Sequence, residues 1–141
     1  MVEEIDRPGE WAVDFENSRL YWWPSQGWQQ GEICLNDRTA PIIRFDRASY
    51  IRVEGLALKH SLAHGFKIRD SHGIEVAGCQ LRNLSSSGVV VQRGEANTVR
   101  SCDIRELGQS GIVASDGGDT IFSNVSYQMQ TGPSNRSRLH K

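Results

Sequence analysis

The stretch that decides the fold is SHGIEVAGCQLRN, residues 71–83. Ile74, Val76 and Leu81 are apolar and partly alternate with polar residues, the pattern of a half-buried β-strand. Gly78 interrupts that pattern, where a glycine weakens a strand interior. The interruption makes sense once the segment is laid over the chain 23 residues to either side. ASYIRVEGLALKHSLAHGFKIRD (48–70), SHGIEVAGCQLRNLSSSGVVVQR (71–93) and GEANTVRSCDIRELGQSGIVASD (94–116) align without a gap, and GGDTIFSNVSYQMQ (117–130) begins a further copy.

The columns of this alignment are apolar. One holds Val53, Val76, Val99 and Phe122, the next Leu56, Cys79, Cys102 and Val125, and a third Leu58, Leu81, Ile104 and Tyr127. Phe66, Val89 and Ile112 form another, followed by Ile68, Val91 and Ala114. A step back of 23 residues finds Ile33, Leu35, Ile43 and Phe45 in apolar columns. A period this short is too small for paired-helix repeats but suits a coil of two or three short strands. Successive coils then stack as parallel strands about 4.8 Å apart. Gly78 is a bend between two short strands, residues 74–77 and 79–82, with Gly55 and Ser101 as its equivalents. Gly65, Gly88 and Gly111 serve a second bend, through positive φ or through close packing. A leucine-rich repeat has a similar length, but its dense leucine pattern is missing. The sequence therefore predicts an all-β solenoid of about four coils over residues 31–130. Residues 1–30 form an aromatic-rich hairpin or cap, and residues 131–141 a disordered tail.

The totals agree with one domain. The chain has 141 residues and a formal charge of −1, with no basic field to suggest nucleic acid. No apolar run approaches the roughly 20 residues of a membrane helix. MVEEIDRPGEW lacks the basic start and apolar middle of a secretory signal. Three cysteines cannot all pair internally. Cys79 and Cys102, in one column, read as small buried core residues in reduced form; Cys34 has no assigned role.

Residues 72–94, HGIEVAGCQLRNLSSSGVVVQRG, and 97–119, NTVRSCDIRELGQSGIVASDGGD, resemble the coils of right-handed parallel β-helix proteins of the pectate-lyase-like superfamily. PGEWAVDFENSRLYWWP (8–24) is similar to a segment that precedes the coils in bacterial β-helix glycoside hydrolases and polysaccharide lyases. The resemblance implies a right-handed parallel β-helix and a polysaccharide partner. It also implies a chain that is part of a longer helix and an extracellular or periplasmic setting. It does not fix a reaction, because the fold hosts hydrolases, lyases and inert shafts. A non-catalytic binding or structural module is the alternative. Open coil ends would also favour a homo-oligomer.

Candidate site residues follow from the strand pattern. Asp103 lies between inward Cys102 and Ile104 and should face outward, with Glu106 at the next corner. Two carboxylates on one groove would suit glycoside cleavage. Arg82 and Arg105 share a column, which fits recognition of a uronate carboxylate. Arg52 and Arg100 also face outward. Asp103, Arg105 and Glu106 are the catalytic candidates. Arg82, Trp22, Trp23, Asp116 and Asp119 are the substrate-binding ones, the tryptophans because sugar rings stack on an indole. The turn SDGGD could instead hold Ca2+, or simply be aspartates bonding their own backbone in a bend. No other cofactor is expected, and His60 and His64, four residues apart in a bend, lack the further ligands of a zinc site.

Overall fold

The computed structural model describes residues 5–30, 34–116 and 120–129. Asp119, Ile33 and the predicted tail lie outside the described residues. The chain divides into two compact units, Met1–Leu35 and Asn36–Lys141.

The first unit is built on a hairpin. β1 (Trp11–Asp14) pairs antiparallel with β2 (Arg19–Trp22), in the register Trp11 to Trp22 and Asp14 to Arg19. Asp14 makes the turn by accepting from the backbone N–H groups of Glu16 and Asn17, each at 3.1 Å, and from the Asn17 amide at 2.8 Å. A short 3-10 turn follows at Trp28–Gln30.

The second unit is a parallel β-solenoid with three strands per coil. β3 (Ile43–Asp46), β6 (Phe66–His72), β9 (Val89–Glu95) and β12 (Ile112–Ser115) form one sheet. β4 (Arg52–Glu54), β7 (Glu75–Ala77), β10 (Asn97–Arg100) and β13 (Thr120–Ser123) form the second. β5 (Ala57–Ser61), β8 (Gln80–Leu84), β11 (Asp103–Leu107) and β14 (Ser126–Met129) form the third. Partners are offset by the repeat: Val53 pairs with Val76, Val76 with Val99, and Leu81 with Ile104. Three steps separate the four strands of each sheet, so the solenoid has about three coils rather than four.

Alternation sends one side chain in two to the interior. Phe66, Ile68, Val76, Cys79, Leu81, Val89, Val91, Val99 and Ile104 are fully buried in one continuous core. Both buried cysteines are free; the Cys102 thiol is pushed up by burial. The step back of 23 residues holds for Ile43 and Phe45, which pair with Phe66 and Ile68. It fails at Leu35, which is exposed and belongs to the first unit. Phe45 and Leu58, on the end strands β3 and β5, are still buried, so the column loses its burial where strand pairing ends.

The corners are columns of left-handed backbone. Gly55, Gly78, Ser101 and Asn124 have φ of +71°, +58°, +52° and +49°. His60, Asn83 and Glu106 form a second such column, and Arg47, Asp70, Arg93 and Asp116 a third. The column of Gly65 and Gly88 works by contact. A Cβ on Gly65 would stand 2.7 Å from the Gly88 carbonyl oxygen and 2.6 Å from Leu81 Cδ2. Small residues there let successive coils approach.

One buried polar residue ties the coils together. Asn97 is wholly buried; its side-chain oxygen accepts from the Ile74 N–H at 3.1 Å and its amide donates to the Ser71 carbonyl at 3.3 Å. It satisfies the Ile74 N–H, which lies between β6 and β7, and adds a second contact to the Ser71 carbonyl of β6.

Candidate functional site

The outward face of the sheet β5–β8–β11–β14 carries most of the candidates. Register places Ala57, Gln80, Asp103 and Ser126 in one row, and Lys59, Arg82 and Arg105 in the next. Each row advances about 4.8 Å per coil. Asp103 faces outward, as the alternation requires, and forms an ion pair with Arg105 two residues along its own strand. It also accepts from the Ser126 hydroxyl at 3.3 Å. Asp103, with a smaller contribution from Glu106, holds the Arg105 guanidinium more firmly protonated than usual.

Lys59 and Arg82 are different. Neither forms an ion pair among the described residues. Three cations therefore stand in one column, and only Arg105 is neutralised. Like charges at strand spacing repel each other, so the column favours an anion laid across it.

Glu106 lies at the corner after β11, in left-handed backbone with φ +56°, and is exposed. Neither Asp103 nor Glu106 lines the groove beside Trp28 or the hollow beside Asp70 and His72. Asp116 is at a different corner, where Arg47, Asp70, Arg93 and Asp116 alternate in sign from coil to coil. Arg93 grips Asp70 with two contacts of 2.5 and 2.8 Å, and Arg69 grips Asp46 at 3.0 and 2.9 Å. Hydrogen bonds from Arg69 and then Arg44 hold the Asp46 carboxyl down to about 2. These pairs bridge coils, which gives that corner a structural role. The outward arginines of the β4–β7–β10 sheet are also engaged: Arg100 meets Glu75 of the neighbouring coil at 2.5 Å, and Arg52 meets Glu54 on its own strand at 2.9 Å.

Trp22 and Trp23 sit at the end of β2, in the hairpin unit. Trp22 packs edge-on against Trp28, with centroids 5.3 Å apart and planes at 87°. Trp23 is exposed. His60 occupies a corner and offers its backbone carbonyl to the Asn36 side chain. His64 turns Nδ1 toward the Ser87 N–H at 3.3 Å and the Ser86 hydroxyl at 3.0 Å. Burial, followed by the Lys67 charge, lowers its pKa. Among the described residues no three His, Cys, Asp or Glu side chains gather as a metal ion would require.

Sequence reasoning singled out Arg82 and Arg105 but not Lys59, which the same 23-residue step would have added. It also missed the inter-coil pairs of Asp46 with Arg69 and Asp70 with Arg93, which obey that step. The family model described as "Right handed beta helix region" matches residues 41–133. No curated protein and no solved structure matches the chain.

Proposed function

The chain belongs to the right-handed β-helix family, and from that premise we propose that it is a binding module for an acidic polysaccharide. The glycan runs along the outer face of the β5–β8–β11–β14 sheet. The observation that carries this reading is the column Lys59–Arg82–Arg105, in which the first two cations have no carboxylate partner among the described residues. A parallel sheet repeats its side chains at about 4.8 Å, so it offers an extended chain a regular row of donors. Arg82 and Arg105 take uronate carboxylates through the paired N–H groups of the guanidinium. Gln80 and Asp103, one row over, hydrogen-bond sugar hydroxyls.

Binding fits the face better than cleavage. Glycoside hydrolysis by the two-carboxylate route needs one acid free to move a proton and a second placed opposite it. Asp103 is held by Arg105 and Ser126, and Glu106 sits on an exposed corner. A lyase or hydrolase using Asp103, Arg105 and Glu106 is the second reading.

The test is affinity electrophoresis of the whole chain in gels containing polygalacturonate, alginate or a neutral glucan. A product assay on the same polymers runs alongside, and added Ca2+ tests whether the ion bridges glycan and face. Retardation by the acidic polymers alone, lost in Arg82→Ala, is expected. Equal mobility in every gel would remove the reading, and products lost in Asp103→Asn would replace binding by catalysis.

A further inference from the structure

The hairpin unit carries a separate groove, lined by Pro8, Pro24, Ser25, Gln26, Trp28 and Gln29. Its walls follow from the way the hairpin ends. Beyond β1 and β2 the ladder continues through Trp23 N–H to the Glu10 carbonyl at 2.9 Å and Gly9 N–H to the Trp23 carbonyl at 2.7 Å. Pro8 and Pro24 come next, and neither has an N–H to extend pairing. The strands part there, leaving two rigid apolar rings at the mouth of a groove. The chain then turns back through Gly27, whose φ is +83°, and the Trp28 N–H bonds the Ser25 carbonyl at 3.3 Å.

Trp28 is the aromatic residue of the lining. It is 41% exposed, and its ring packs edge-on with that of Trp22. An aromatic face that is both open and immobilised binds without losing rotamer freedom. Gln26 and Gln29 flank it, both exposed, and each amide offers donors and an acceptor. Among the described residues no charged side chain lines the groove. The charges of this arm satisfy one another instead: Arg7 contacts Asp6 and Glu10, each at 3.2 Å.

We propose that this groove binds a ring of a neutral sugar, stacked on Trp28 and hydrogen-bonded through its hydroxyls by Gln26 and Gln29. A pyranose has an apolar C–H face and an edge of hydroxyls that both donate and accept. That chemistry matches a bare indole bordered by amides. Among the described residues the lining offers a uronate carboxylate no cationic partner, so the groove and the cation column select opposite classes of sugar. The groove does not depend on the sheet face, and either site stands if the other fails.

The assay uses the whole chain. All four tryptophans, Trp11, Trp22, Trp23 and Trp28, lie in this unit, so tryptophan fluorescence, excited selectively over tyrosine, reports on it. The probes are neutral hexasaccharides of glucose, xylose and mannose, a galacturonate hexasaccharide and an octaproline peptide. The expected result is a saturable fluorescence change with at least one neutral sugar and none with the galacturonate. Trp28→Ala abolishes it, and Arg82→Ala leaves it unchanged. Removing both exposed amides (Gln26→Ala with Gln29→Ala) weakens it by about tenfold or more, since each hydrogen bond is worth roughly fivefold. That double variant leaves the hairpin ladder intact, so it decides the matter even if Trp28→Ala fails to fold. Saturation by octaproline in place of sugar, no response to any neutral sugar, or full retention in the double variant would each overturn the assignment.

Discussion

Gly78 and Gly88 both sit at bends of the same coil, and the structure predicts that alanine will be tolerated very differently at the two. At Gly78 the backbone is left-handed, with φ +58°, but the nearest atom to an added Cβ is the Gly55 nitrogen at 4.0 Å. The cost is the left-handed conformation alone, roughly 1–2 kcal/mol. Ser101 and Asn124 occupy the same column with side chains in place. At Gly88 the φ is ordinary, but a Cβ would lie 2.7 Å from the Gly111 carbonyl oxygen and 2.8 Å from Ile104 Cγ2. The Gly111 oxygen already accepts from the Val89 N–H at 3.0 Å, so relief of the clash must stretch the ladder between β9 and β12. Overpacking of this kind costs about 1–3 kcal/mol in an adaptable core and more against backbone, which places Gly88→Ala at about 3 kcal/mol or above. The assay is urea unfolding followed by far-UV circular dichroism, because tryptophan fluorescence reports only on the hairpin unit. Gly88→Ala should lose about 2 kcal/mol more than Gly78→Ala. Equal losses, or a larger loss at Gly78, would refute the claim that one bend works by contact and the other by conformation.

Asn97→Leu should cost about 1–3 kcal/mol for the Ile74 N–H it strands. Urea midpoints would show this, and a neutral outcome would count against Asn97 as the tie at that corner. The lowered pKa of His64 makes the unfolded chain the better proton acceptor, so stability falls as pH drops through the unfolded value near 6.5. His64→Gln, followed by melting temperature at several pH values, should flatten that slope. The Asp46 carboxyl, held down to about 2, contributes stability that is present above its ordinary 3.8 and lost as pH falls toward 2. Asp46→Asn should remove that part of the acid transition, and an unchanged acid limb would count against the pairing with Arg69.

The coil was legible because a solenoid repeats its chemistry at a fixed step. Val76, Leu81, Val99 and Ile104 fall inward, and their partners are set by one number. Three features were harder to see. Asn97 stands in the column of Ile51 and Ile74, a polar residue where the pattern is apolar; that exception was the signal of a buried hydrogen-bond tie. The charges Asp46, Arg69, Asp70 and Arg93 also sit 23 residues from their partners, but surface columns tolerate any polar residue, so their pairing emerges only from side-chain geometry. Leu35 failed because periodicity records the residue type and not whether a coil lies beside it. Within the candidate site, Arg82 and Arg105 were visible as a column. The tie between Asp103 and Arg105 was not, since a spacing of two along a strand places side chains on one face without saying that they touch.

If Lys59, Arg82 and Arg105 hold an acidic glycan on the outer face of the β5–β8–β11–β14 sheet, such a glycan must perturb that face when it binds. The most direct measurement is a titration of the isotopically labelled chain with a galacturonate oligosaccharide, followed by amide and guanidinium chemical shifts. Saturable shifts are expected along residues 57–61, 80–84 and 103–107, strongest at the Arg82 and Arg105 side chains and abolished by Arg82→Ala. Shifts confined to the other two sheets or to the hairpin unit, or no saturable shift at all, would contradict it.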